Sequence, residues 1–165
     1  VEEQMKHIFK VIDKFNFEEV LSAPNIEVDR EKILSFIHKE VEKNHNYHFF
    51  HSLGSLNYNS LIPHCKMVIG NSSSGMLQVP FLRVSTINIG ERQKGRIRHL
   101  SVIDTGNDIE SITKGIKKAL DKDFLVKISE MEFIFSNGNV AEKMIDTIKS
   151  IDINTELLQK KLCFN

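Results

Sequence analysis

A chain of 165 residues in which 22 Lys and Arg balance 22 Asp and Glu, with 41% hydrophobic residues, has the size and composition of one folded domain. Zero formal net charge, no basic asymmetry between the halves and no aromatics threaded through the basic run argue against a nucleic-acid partner. No apolar run approaches a membrane span and no signal-peptide pattern opens the chain, so a soluble cytoplasmic protein without a membrane partner is expected.

Along the chain, Met5, Ile8, Phe9 and Ile12 set a helical period over residues 2–15, and Val20-Leu21-Ser22 before Pro24 reads as a short strand. Ile33, Leu34, Phe36, Ile37 and Val41 predict a second helix over 29–41. The aromatic stretch 47–51, after turn signals at Asn44 and Asn46, predicts a strand, and 57–65 a helix. Met67-Val68-Ile69 is a strand candidate that leads through a polar turn into helix-compatible residues 76–79. A further strand is predicted at 84–89 and a last one at 102–104, followed by the turn Thr105-Gly106-Asn107. Helices are then expected over 108–120, 124–135 and 140–151, with a short amphipathic tail. Strands alternating with helices predict an α/β fold, a Rossmann-like parallel sheet with helices on both faces. No internal repeat or low-complexity linker interrupts the order. Cys65 and Cys163, far apart and without CxxC spacing, predict a buried thiol and a tail thiol rather than a disulfide or a zinc site.

The turn Gly70-Asn71-Ser72-Ser73-Ser74-Gly75 carries the clearest chemistry. A strand, a glycine-bounded polar turn and a helix start offer unpaired amides, hydroxyl donors and the positive end of a helix dipole to a phosphate. A Ser-rich turn that merely caps its helix is the alternative, and the hexapeptide alone leaves it open. The next predicted strand runs into Gly90-Glu91-Arg92-Gln93-Lys94-Gly95-Arg96. Adjacent parallel strands deliver such loops to one sheet edge, where a Ser-bearing and an Arg-bearing loop could meet on one phosphate. A solvated basic loop is the plainer reading of Arg92, Lys94, Arg96 and Arg98.

His45, His48 and His51 recur every third residue, but on a strand His48 and His51 point to opposite sides, so no metal site is expected and partly exposed histidines are. His99 reads either as a phosphate neighbour or as a surface histidine. The serines at 72–74 have no identifiable paired base and no nucleophile-elbow pattern.

The strings Gly70-Asn-Ser-Ser-Ser-Gly75, Asn88-Ile-Gly-Glu-Arg-Gln-Lys-Gly-Arg96 and Ser101-Val-Ile103 resemble the carboxyl-terminal half of UDP-N-acetylglucosamine 2-epimerases, especially the hydrolysing branch of sialic acid biosynthesis. Pro24-Asn25 with Glu27 two residues on, the Asn137-Gly138-Asn139 turn and the ending Leu158 to Phe164 extend the resemblance over nearly the whole chain. It implies one half of a two-domain GT-B-type fold, with a sugar nucleotide held in the cleft between two Rossmann-like halves. Residues 1–165 would then be a single UDP-sugar-binding domain, with 152–165 a tail against the amino-terminal half. The start at Val1, inside helix-compatible sequence, fits a piece of a longer protein. The family's catalytic acids and bases come mostly from the other half, so no catalytic residue is assigned and this chain alone is expected to be inactive.

The resemblance also implies ligands and roles. The expected partners are UDP, a UDP-N-acetylhexosamine and the amino-terminal half, with a homo-oligomer for the full-length enzyme and no cofactor. Ser72 and Ser73 would donate to the UDP diphosphate and Arg92 would face it. Leu53, in the Ser52-Leu53-Gly54 turn, would offer backbone groups to uracil, and Asn25 would reach the ligand from the first strand's end. Gln78 stands where the family usually has a Glu that accepts from both ribose hydroxyls, and a neutral amide satisfies a diol less well. Glu27 in place of the frequent Asp is a smaller departure. Within the family, a non-hydrolysing epimerase or an epimerase for a diacetamido sugar is the rival. A stand-alone binding or regulatory module, which Gln78 would suit, and half of a different two-domain glycosyltransferase are further alternatives.

Overall fold

The computed structural model describes residues 2–25, 29–135 and 138–159. The first helix, α1 (Glu2–Ile12), carries acids in its first turn and Lys10 in its last, matching the helix dipole, and turns Phe9, Val11 and Ile12 into the core. A 3-10 turn over Asp13–Phe15 ends at Asn16, whose φ of 51° lets the chain reverse into β1 (Glu19–Ser22). Helix α2 (Arg30–Lys43) then crosses to β2 (Tyr47–Phe50), which pairs parallel with β1 from Glu19↔Tyr47 to Ser22↔Phe50.

The second ladder is β3 (Met67–Gly70), β4 (Ser85–Ile89) and β5 (Val102–Thr105), all parallel, in the order β3-β4-β5. Every residue of β4 is buried, as expected of a central strand covered on both faces. Alternation along β3 shows the two layers directly. Met67 and Ile69 pack against the main core of Phe9, Ile37, Ile87, Ile89, Ile103, Ile112 and Ile116, whereas Val68 joins Ile62, Val79 and Val84 on the opposite side. The main core draws on α1, α2, α5 (Ile109–Ala119) and α6 (Lys122–Glu130). The smaller cluster is fed by α3 (Gly54–Leu61), the 3-10 turn after it and α4 (Ser74–Phe81). The Rossmann-like arrangement read from the sequence is therefore the one observed.

Two helices differ from expectation. Residues 57–65 were to be one helix, but α3 begins at Gly54, with its amide on Ser52 Oγ, and gives way to a 3-10 turn over Ile62–His64 because Pro63 has no amide to continue the α pattern. The helix expected over 124–135 starts earlier, capped by Asp121 accepting from the Phe124 amide at 2.9 Å, and ends at Glu130. Arg83 stops it, donating to the carbonyls of Ile128 and Met131 at 3.3 and 3.0 Å and to that of Ser129. Cys65, expected to be buried, is only half-buried.

The chain forms two compact units, Val1–Glu132 and Phe133–Asn165. In the second, α7 (Val140–Ser150) follows Asn139 at a φ of 54°, and α8 (Thr155–Leu158) is capped by Asn154. Residue Asn137 of the turn, and residues 160–165 of the ending noted above, lie outside the described residues, as does Glu27.

At the amino end of the first ladder, Tyr47 donates its hydroxyl to Asp13, and Glu19 lies half-buried beside it. Burial, with the Asp13 charge adding to it, pushes the Glu19 carboxyl from its ordinary 4.5 up to about 7. The folded state thus holds a proton that the unfolded chain has released. The stability this proton confers is complete below 4.5 and lost as pH rises through about 7. Glu19→Gln should flatten the stability profile across that interval and raise the melting temperature at about pH 8 by roughly 2–6 °C. Thermal unfolding of both proteins across the range checks this.

Candidate nucleotide site at the strand ends

Strand β3 ends at Gly70, whose φ of 152° turns the chain out of the sheet, and α4 starts four residues later at Ser74. The loop is not an ordinary serine cap. Ser73, at the cap position, makes no side-chain bond to the helix, and Ser72 Oγ accepts the Ser74 amide at 3.4 Å instead. Ser72 and Ser73 are exposed. Gly75 serves packing rather than ligand approach: a Cβ there would lie 2.6 Å from the Thr86 methyl, and the Thr86 hydroxyl donates to the Gly75 carbonyl at 3.0 Å. Helix α4 consequently sits hard against the central strand.

At the end of β4, Gly90 adopts a φ of 75° and the basic loop begins. Two of its side chains reach the Ser loop. Gln93, buried to 3% exposure, donates Nε2 to the Asn71 carbonyl at 2.7 Å, and Arg92 Nη1 donates to the same oxygen at 3.3 Å. The loops from two adjacent strands are thus tied at one carbonyl. The rest of the basic run is used differently. Lys94 pairs with Glu91 at 3.4 Å, and Arg98 Nε donates to the Asp104 carboxylate on β5 at 2.9 Å. Although burial raises the Asp104 pKa, Arg98 and the Asn88 amide, which donates at 2.6 Å, outweigh it and hold the carboxyl below its ordinary range. Arg98 is therefore a brace between loop and sheet.

His99 is not a surface histidine. It is 2% exposed, burial depresses its pKa, and its ring bonds the backbone of Met76. Met76 lies four residues before Pro80, which has no amide to give its carbonyl, so His99 supports α4 where the helix cannot support itself.

A groove of about 510 Å³ opens beside the Ser loop, lined by Asn25, Leu53 and Gln78 together with Arg30, Tyr58 and Ser74. Three of the six site residues expected from sequence therefore share one wall-to-wall groove. The other three, Ser72, Ser73 and Arg92, do not line it. Of these, Ser72 is linked to the groove wall, through Tyr58 Oη to Ser74 Oγ at 3.0 Å and Ser74 Oγ to Ser72 Oγ at 3.1 Å. Leu53 is half-buried directly before α3, while Asn25 and Gln78 are exposed. Gln93, Tyr58 and Arg30 were not singled out from sequence. Gln93 sat in plain view inside the Arg92-to-Arg96 string, but burial of a loop glutamine leaves no periodic trace.

His45, His48 and His51 are exposed, with His48 Nε2 2.8 Å from Glu18 and the His51 ring edge-on to Phe49. Among the described residues no three His, Cys, Asp or Glu side chains cluster as metal ligands, and no helix is long and apolar enough to cross a membrane.

Comparison with known proteins bears on what such a loop pair holds. The family model described as UDP-N-acetylglucosamine 2-epimerase matches residues 1–149. The chain belongs to this family. It is 39% identical over 112 residues to the Escherichia coli polysialic acid biosynthesis protein P7, an alignment covering 66% of this chain and 29% of that protein. It is 31% identical over 159 residues to the hydrolysing GDP/UDP-N,N'-diacetylbacillosamine 2-epimerase of Campylobacter jejuni, covering 94% of this chain and 41% of the relative. In fold it resembles the Methanocaldococcus jannaschii UDP-GlcNAc 2-epimerase, crystallised with UDP-GlcNAc and UDP, at a TM-score of 0.67 and 18% identity over 90% of this chain and 41% of that one. The chain thus shares the parallel-sheet fold of the part of that neighbour that it covers, and it spans less than half the length of each of these relatives.

The contact at Gly75 gives a direct test of how the Ser loop is held. Gly75→Ala should destabilise the fold by about 1–3 kcal/mol through overpacking against Thr86. Thr86→Ser, which removes the methyl and keeps the hydroxyl, should recover most of that loss in the double variant. Urea unfolding of the four proteins in the cycle measures both terms.

Proposed function

We propose that this chain is the UDP-binding half of a hydrolysing UDP-N-acetylglucosamine 2-epimerase, a cytoplasmic enzyme of sialic acid biosynthesis that converts UDP-N-acetylglucosamine to N-acetylmannosamine and UDP. The observation that carries the reading is the tie of Arg92 and Gln93 to the Asn71 carbonyl, which fixes a basic loop beside the serine loop at the carboxyl ends of adjacent parallel strands. Ser72, Ser73 and Arg92 would hold the diphosphate, and the groove would take the nucleoside, with Leu53 at uracil, Gln78 at the ribose and Asn25 at its edge. As an amide, Gln78 brings one acceptor and two donors to a diol that a carboxylate would meet with acceptors alone.

In the reaction, a base takes the proton from C2 of the amino sugar while the C1–O bond breaks and its electron pair passes to the β-phosphate of the departing UDP. A glycal results, and water adds across it, hydroxyl to C1 and proton to C2, to release N-acetylmannosamine. The base would come from the amino-terminal half. This chain would stabilise the leaving group, because charge grows on the β-phosphate as the bond breaks, and preorganised hydroxyls, amides and Arg92 favour that charge over the bound ground state. The name of the C. jejuni relative, aligned over 94% of the chain, supports the hydrolysing outcome and favours a diacetamido sugar as the second reading of the substrate.

Calorimetry with UDP, UMP and ADP tests the assignment: UDP should bind best, and equal or absent heat for all three would sink it. Arg92→Ala should weaken UDP by roughly 1.5–3 kcal/mol, the worth of a charge-assisted contact, and leave uridine nearly unchanged.

The outcome of the reaction is tested in deuterium oxide with the chain joined to, or supplemented by, an amino-terminal half. Free N-acetylmannosamine bearing deuterium at C2, with UDP released, is expected. Deuterated UDP-N-acetylmannosamine without UDP release would assign the non-hydrolysing branch, and turnover by the 165 residues alone would overturn the division of labour.

A further inference from the structure

Tyr58 stands half-buried on α3, its ring packed with the cluster of Ile62, Val79 and Val84 and its hydroxyl 3.0 Å from Ser74 Oγ. Ser74 Oγ lies 3.1 Å from Ser72 Oγ, and the Ser74 amide donates to that same Ser72 oxygen at 3.4 Å. The amide can only donate, so one lone pair of Ser72 is committed by the backbone. The direction of the hydroxyl chain follows from the phenol, which is the better donor and has no second hydrogen-bond partner among the described residues. Protons therefore run from Tyr58 to Ser74 and from Ser74 to Ser72. Ser72 then accepts twice, its acceptor capacity is filled, and its own proton is left to point outward from an exposed position.

A hydroxyl arranged this way is matched to an oxygen that only accepts. The geometry points to Tyr58 as a positioning residue that sets Ser72 as a dedicated donor to a phosphate oxygen of the bound nucleotide. This rests on the UDP reading above and adds a hydroxyl that acts on the phosphate through Ser74 and Ser72. The ring and the hydroxyl have separate tasks: the ring fills the small cluster beneath α4, and the hydroxyl orients the loop above it. In the reverse direction Ser72 would donate inward, its outward lone pair would face the phosphate, and two acceptors would oppose each other. Tyr58 thus prevents a repulsive arrangement as well as supporting an attractive one.

The test is calorimetry of the 165-residue chain with UDP and with uridine, comparing the parent with Tyr58→Phe, Ser72→Ala and the double variant. Phenylalanine keeps the packed ring and removes only the hydroxyl. Tyr58→Phe should weaken UDP about three- to tenfold, as expected for one neutral hydrogen bond, and weaken uridine by much less. On the Ser72→Ala background the same change should have no further effect, because the relay no longer has an end. Should Tyr58→Phe fail to fold, Ser74→Ala breaks the same relay at its middle member and must show the same loss, larger for UDP than for uridine. Undiminished UDP affinity in a variant that folds overturns the relay while leaving the nucleotide site intact. An equal loss for UDP and uridine, or additive losses in the double variant, reduces Tyr58 to packing. If the parent chain binds no UDP, the nucleotide reading fails and the relay falls with it.

Discussion

A strand covered on both faces must satisfy its backbone entirely through its neighbours, and Ser85–Ile89 does so between β3 and β5. That constraint organises the remainder of the domain. Because all three strands run parallel, their carboxyl ends share one edge, and because the register pairs Gly70 with Asn88, the Ser loop and the basic loop leave the sheet side by side. The apolar residues on the two faces of the ladder then demand two layers of helix, which the alternation of Met67, Val68 and Ile69 between two clusters makes visible. The site is a consequence of strand pairing before it is a consequence of any individual polar residue.

Short helices are marginal by themselves, and α4 has eight residues with a proline among them. It is held by contacts from three directions. Gly75 lies on the Thr86 side chain, His99 bonds the backbone at Met76, and Tyr58 reaches Ser74 at the first turn. Such anchoring leaves the donors of the Ser loop already oriented, and oriented donors lose little freedom on binding. The buried polar side chains Asn88, Gln93 and His99 belong to the same scheme, because each ties a strand, loop or helix to its neighbour.

The charges of the basic run have different structural partners. Arg98 is committed to Asp104, and that pair, joined by Asn88, links the loop to β5 through a carboxylate held in its ionised form. Lys94 has a carboxylate neighbour on the surface, where such pairs contribute little. Arg92, at the tie to Asn71, is the cation placed beside the serines. Gln78 brings a neutral amide, not a carboxylate, to the groove wall.

Local sequence determined the order of the elements, because helical and strand periods record which side of each segment is buried, and it marked both loops, because glycine, serine and arginine at strand ends are few and chemically distinct. The family resemblance named Asn25, Leu53 and Gln78 for one ligand, and the structure sets all three on the wall of one groove. Tertiary structure alone decided where α6 stops, since Arg83 captures its last carbonyls from 45 residues away. It alone buried His99, closed Gln93 onto Asn71, assigned Arg98 to Asp104 and gave Gly75 its reason in the Thr86 methyl. Each of these is a single contact between a side chain and a distant partner. A periodic pattern records only which face is covered, so contacts of that kind appear when the strands have been paired and not before.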